Sequence, residues 1–142
     1  MSEENLELVR RLYAEGGELL LLTAEQIDRL FREDLDQDFE FRLPPDYPEG
    51  ELAFRGRAGL DDLIALLRDT WREWRFEPER FLDSRDKVVV FARIVGEGEA
   101  SGVPVELETT HVWTVHGGRA ISLHAYRDRA QALRAAGLRQ MT

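Results

Sequence analysis

An α+β fold is what this sequence predicts, and three observations carry it. Apolar residues recur at three- and four-residue steps through much of the first half. From Phe76 onward the apolar period changes to two, through consecutive segments separated by turn signals. A short capped helix then closes the chain. Helices first with one early strand, then a four-stranded antiparallel meander, then a terminal helix is an α+β order.

The first helix starts where Glu3 and Glu4 follow Ser2, a capping residue with acidic groups at the positive end of the helix dipole. Leu6, Val9 and Tyr13 share one face, and Gly16-Gly17 stops it. A second start is written at Thr23, whose hydroxyl can cap while Gln26 reaches back; Ile27, Leu30 and Phe31 form its stripe. Asp38 to Leu43 alternates Phe39, Phe41 and Leu43 against Glu40 and Arg42, so it reads as a strand that enters a loop at Pro44-Pro45. The strongest helical stripe is Leu60, Leu63, Ile64, Leu67, Trp71 and Trp74, with Asp61-Asp62 in its first turn.

Pro78, in the first period-two segment, cannot donate to a ladder and predicts an edge strand. Three longer strands follow at Lys87–Glu97, Val103–Val115 and Arg119–Arg127, joined by Gly98–Gly102 and His116-Gly117-Gly118. Asp128 caps a terminal helix that ends before Gly137. Repeats, linkers and low-complexity stretches are absent, so one domain over residues 1–142 is expected.

Bulk properties narrow the function classes. At 142 residues, one core that buries roughly 68–70% of the unfolded surface is normal. A net charge of −9 opposes a phosphate backbone, whose binding depends on Lys and Arg, so no nucleic-acid partner is expected. No cysteine is present, which removes disulfides, thiolate metal sites and a cysteine nucleophile. The acidic N-terminus is unlike a signal peptide, and Leu19–Leu22 is far shorter than a membrane span. A cytoplasmic protein with no membrane partner is the expectation.

His111 is the first candidate for chemistry. In Val103–Val115 the odd positions Val105, Leu107, Thr109, His111, Trp113 and Val115 form the apolar face. A three-residue loop at His116–Gly118 pairs odd with odd positions, setting His111 and Trp113 beside Ile121, Leu123 and Ala125, with His124 and Tyr126 facing away; a two- or four-residue loop reverses this parity. A histidine on a concave apolar face is either a proton shuttle or a core residue held by one hydrogen bond. Arg93 interrupts the apolar run Val88–Val95: it either points inward as a clamp for a carboxylate or enolate oxygen, or pairs outside with Glu106 or Glu108. Trp71, Trp74 and Trp113 are candidates for an apolar pocket or for plain core.

Several patterns fail on context. Gly96-Glu97-Gly98 with Gly102 leads into a strand, not the helix a dinucleotide loop needs, and the same turn is no nucleophile elbow. His111, His116 and His124 do not form a metal triad, and no metal or cofactor is expected. The acidic runs Glu33–Asp38 and Asp61-Asp62 read as solvated faces and a helix-dipole partner.

The order of elements, opening with ENLELVRRLY and closing with HVWTVHGGRAISLHAYRDRAQALRAAGL, resembles the SnoaL-like branch of the nuclear transport factor 2-like superfamily over nearly the whole chain. The resemblance implies a cone in which a strongly curved mixed or antiparallel sheet wraps a long helix around a deep pocket. Relatives include polyketide cyclases, ketosteroid isomerases, limonene epoxide hydrolases and non-catalytic binders, so the fold leaves the reaction open. In SnoaL-like cyclases a histidine in this strand works with an aspartate in the last strand; His111 matches the first, but Ala125 stands at the second. Tyr13 resembles the hydrogen-bond-donor tyrosine of ketosteroid isomerases, and is equally a core tyrosine with a satisfied hydroxyl. Glu40 is a candidate base only where its side of the strand faces inward.

These readings give a candidate site of His111, Tyr13 and Arg93, lined by Glu40, Trp71, Phe91, Thr109, Trp113, Leu123 and Ala125. Its expected occupant is a small apolar molecule with a carbonyl or hydroxyl. If catalytic, it is a cofactor-independent isomerase, cyclase or hydrolase with His111 as base; the alternative is a non-catalytic binder or dimeric module. A homodimer is expected through the outer sheet face of Thr110, Val112, Thr114, Ser122, His124 and Tyr126, where the family commonly pairs.

Overall fold

A computed structural model of the chain describes residues 2–44 and 52–138, apart from the side chain of Ser2. The expected Ser2 cap and the loop signal at Pro45 lie outside the described residues. Four helices and six strands follow in the order α1 (Ser2–Gly16), α2 (Ala24–Glu33), β1 (Leu35–Arg42), β2 (Ala53–Arg55), α3 (Gly56–Thr70), β3 (Trp71–Ser84), β4 (Lys87–Gly98), β5 (Pro104–His116), β6 (Arg119–Tyr126) and α4 (Arg129–Ala135). The strands make one mixed sheet in the order β2-β1-β6-β5-β4-β3, in which β1 runs parallel to β6 and all other pairs are antiparallel.

The helix signals act as expected. Thr23 and Gln26 form the full capping box of α2, and the Asp128 carboxylate accepts from the amides of Ala130 and Gln131 at the start of α4. A hydroxyl or carboxylate there satisfies amides that have no partner within the helix. Arg11 meets the buried Asp34 at 2.7 Å and fixes α1 over the end of α2. The guanidinium of Arg119 donates to the carbonyls of Phe31, Arg32 and Leu35, closing the C-terminus of α2.

The long helix ends earlier than its apolar stripe predicts. It stops at Thr70, and Trp71 already has extended geometry (φ −120°, ψ 136°). Trp71 and Trp74 therefore belong to β3. Aromatic residues favour a pleated, half-buried surface, and here the following ladder overrides the helical spacing. A register shift between Trp71 and Glu73 leaves Arg72 as an extra residue, and a second between Pro78 and Arg80 leaves Glu79 as one. These bulges bring Trp71, Trp74, Phe76 and Phe81 to one face and bend the sheet. Pro78 sits beside the second bulge on an edge strand, as its missing donor requires. Short β2 carried no signal of its own.

The β5–β6 hairpin reaches the expected parity by an unexpected route. His116 pairs with Arg119, so the loop is the two residues Gly117-Gly118, both with positive φ (60° and 77°), instead of three. A bulge at Ile121 lies between the pairs Val115–Ala120 and Thr114–Ser122 and restores the parity that a two-residue loop would reverse. His111 then faces Ala125, and Trp113 faces Leu123.

The inner face, with Val88, Val90, Ala92, Trp113, Val115, Leu123 and Ala125, packs on α1, α2 and α3 in the main core. On the outer face Val89, Phe91, Val112 and Tyr126 pack under α4 through Ala132, Leu133 and Ala136. Thr110, Val112 and Tyr126, half of the expected dimer surface, are thus already buried within the chain. No helix among the described residues is long and apolar enough to cross a membrane.

Candidate functional site

His111 lies in the middle of β5 on the inner face and is 0% exposed. Its Nδ1 is 2.5 Å from the Tyr13 hydroxyl, which also accepts a hydrogen bond from the Trp113 indole at 2.9 Å. Strand alternation puts His111 and Trp113 on one face of β5, and the inner stripe of α1 lowers Tyr13 onto both. The Phe76 ring stands across the imidazole, centroids 4.4 Å apart at 80°. His111 Nε2 is buried and has no hydrogen-bond partner among the described residues.

Burial sets the charges. Desolvation disfavours the imidazolium and pushes His111 down to about 3, so the ring is neutral at pH 7. It pushes the Tyr13 phenol far above its usual range, against the smaller opposite pull of the Trp113 hydrogen bond. No carboxylate stands in the ladder positions beside His111: its partners there are Val90 and Ala125.

Two cavities flank this triplet. The larger, about 300 Å³, is lined by His111 together with Trp71, Trp74, Phe76, Thr109 and Ala125, and reaches Leu107, Glu108 and Arg127 at its exposed end. The smaller, about 60 Å³, is lined by Tyr13, Trp113, Leu123 and apolar residues of α1, α2 and β1. Phe41 and Phe76 border both.

The sequence-expected residues divide accordingly. His111, Trp71, Thr109 and Ala125 share the larger cavity. Tyr13, Trp113 and Leu123 line the smaller one, where the Tyr13 ring is buried and its hydroxyl is hydrogen-bonded to His111 and Trp113. Arg93, Phe91 and Glu40 do not line either cavity. Arg93 is on the outer face, where it pairs with Glu106, Glu77 and Glu79. Register explains this: Val90 and Ala92 share the face of His111, which sends Phe91 and Arg93 to the other. Phe91 packs under α4 with the Arg129 guanidinium 4.0 Å from its ring. Glu40 alternates with the buried Phe39 and Phe41 and pairs with Arg42 at 2.5 Å and Arg55 at 3.3 Å, which hold its carboxyl below the usual range.

The site reading missed Phe76, Phe41 and Arg127. Phe41 was legible from its alternation with Phe39. Phe76 depended on the Arg72 bulge, for which the sequence carries no signal. Among the described residues no three His, Asp or Glu side chains cluster closely enough to hold a metal ion.

Comparison with known proteins fits this architecture. Solved structures similar to it include a nuclear transport factor 2-like protein of unknown function from Burkholderia pseudomallei (22% identity, 92% of this chain and 95% of that one, TM-score 0.70). Another is TerC, co-crystallised with polyporic acid (22% identity, 94% and 98% covered, TM-score 0.70). A third, from Catenulispora acidiphila, has a ketosteroid isomerase-like fold and was solved with trimethylamine (15% identity, 93% of each chain, TM-score 0.67). At these identities the likeness concerns the fold alone. No curated protein matches the sequence. The SnoaL-like domain model covers residues 2–123, and with the six-stranded mixed sheet and its helices in place the chain belongs to the SnoaL-like family.

Proposed function

We propose that this chain binds a small, mostly apolar molecule carrying a carbonyl or hydroxyl oxygen in the 300 Å³ cavity, with His111 as its deep polar contact. The observation that carries the reading is the buried, unpartnered Nε2 of an otherwise tightly held imidazole in that cavity's lining. Mostly apolar cavities with a few placed polar groups are how proteins bind small ligands. Similar folds have been solved with polyporic acid and with trimethylamine, which supports a fold able to hold small molecules.

A second reading makes the protein a cofactor-independent enzyme of the isomerase, cyclase or hydrolase kind, with His111 exchanging a proton or holding a developing oxyanion. The fully buried titratable ring favours it. Ala125 opposite His111 favours plain binding, because the family's paired acid is missing.

The test is NMR titration of the protein with a panel of small cyclic ketones and alcohols, repeated on Ala125→Leu and His111→Gln. Binding should perturb the Trp71 indole, weaken at least tenfold in Ala125→Leu as the cavity fills, and weaken in His111→Gln with the fold intact. A panel that never perturbs the cavity residues, or binds the filled variant equally well, overturns the reading.

A further inference from the structure

We propose that Tyr13 is a positioning residue that holds His111 with its proton on Nε2, so that the cavity offers a hydrogen-bond donor and selects ligands with an acceptor oxygen such as a ketone carbonyl. This rests on the larger cavity being the binding site.

Donor and acceptor valences fix the direction of the network. An indole Nε1–H can only donate, so the Trp113 bond makes Tyr13 Oη an acceptor. The phenol has one hydrogen of its own, and within reach of it the described residues place only one further partner, His111 Nδ1 at 2.5 Å. If Nδ1 carried the proton and donated to Oη, the phenol hydrogen would be buried with no acceptor. That form leaves the buried Nε2 lone pair unmet as well, two unsatisfied groups against the single Nε2–H of the alternative, and the one additional group weighs against it by roughly 5- to 150-fold. With Tyr13 donating to Nδ1, every polar atom of the triplet is satisfied except one, the Nε2–H.

That remaining donor is the buried unpartnered atom of the imidazole, in a ring that lines the cavity. A ligand oxygen that accepts from it recovers an interaction the empty protein lacks, while a hydrocarbon of the same shape does not. The general-base role expected from sequence needs a lone pair at this nitrogen, which the network does not present at rest. The ring is also shut off from solvent, with Phe76 standing across it. Phe76 is partly buried and borders both cavities, so the side chain that yields to an incoming oxygen is this one.

Ring-nitrogen NMR on the whole protein tests the first half. Nε2 should be protonated and Nδ1 should carry a hydrogen-bonded lone pair at neutral pH; a protonated Nδ1 overturns the inference. For the second half, 1-indanone and indane are titrated as matched probes. The ketone should bind about 5- to 150-fold tighter. Trp113→Phe, which keeps the Tyr13-to-His111 bond, should retain both the Nε2–H spectrum and the preference. Tyr13→Phe should show mixed tautomers and a preference falling toward one. Equal binding of the two probes in the wild type overturns the donor inference and leaves the cavity reading standing; no response of the cavity residues to either probe overturns both.

Discussion

Acid should reveal His111 directly. Its ordinary value of 6.5 falls to about 3 in the fold because burial penalises the imidazolium. A folded value below the unfolded one means that the unfolded chain binds more protons between the two, so stability is full above about pH 6.5 and is lost as pH falls toward 3. Each pH step within that window removes about 1.4 kcal/mol. By pH 4.5 the loss reaches about 3 kcal/mol, a large part of a typical total of about 5–15 kcal/mol. The paired Glu40 also has a lowered value, from 4.5, and its contribution fades below that pH, leaving the interval from 6.5 to 4.5 to the histidine.

Urea unfolding of the wild type and of His111→Gln at four values between about pH 7.5 and 4.5 measures this. The amide of the variant can accept from Tyr13 without titrating, so its curve should be flatter than the wild-type curve by about 3 kcal/mol over the interval. His116 and His124 are present in both proteins and cancel. Parallel curves would refute a buried neutral imidazole that must charge on unfolding.

Four further outcomes are expected. Tyr13→Phe leaves the Trp113 N–H and His111 Nδ1 both buried without partners and should cost about 2–4 kcal/mol, part of which returns in the double variant with Trp113→Phe, read from a denaturation cycle. Ala125→Asp places a carboxylate opposite His111 and should raise the histidine's pKa by about 1–3, seen by NMR titration; an unmoved value argues against the ladder pairing. At Gly96 a Cβ would collide with the Glu73 carbonyl and press on Trp71, so Gly96→Ala should destabilise by about 1–3 kcal/mol and shift the Trp71 fluorescence. A homodimer, if it forms through the outer face, must use the strip of Thr114, Ser122 and His124 left beside α4; light scattering at 16.4 kDa in the micromolar range would rule it out.

Much of the fold was legible because its signals are local. Thr23 with Gln26, and Asp128 before its helix, announce helix starts through hydrogen bonds made within four residues, and Pro78 announces an edge by what it cannot donate. What stayed hidden depends on register between distant segments. The run from Leu60 to Trp74 has one period on paper, yet Trp71 pairs with Gly98 and Trp74 with Gly96, and two glycines opposite two tryptophans are evidence for a strand only when that pairing is known. Arg93 was ambiguous for the same reason. The sign of its face is set by which β5 residue it opposes, and Glu108 places it outside.

The site itself depends on an insertion that composition does not reveal. A two-residue turn at Gly117-Gly118 by itself would set His124 opposite the wrong face, and only the extra residue Ile121 returns Ala125 to the position across from His111. Bulges perform the same service on β3, where Arg72 and Glu79 keep Trp71, Trp74, Phe76 and Phe81 on the concave side. Each bulge also increases strand bend and twist. The same three insertions therefore curve the sheet around the cavity and decide which side chains line it. Were Ile121 instead paired in a regular ladder, the residues beyond the hairpin would turn over, setting His124 in place of Ala125 beside His111 and exchanging an apolar wall for a second titratable ring.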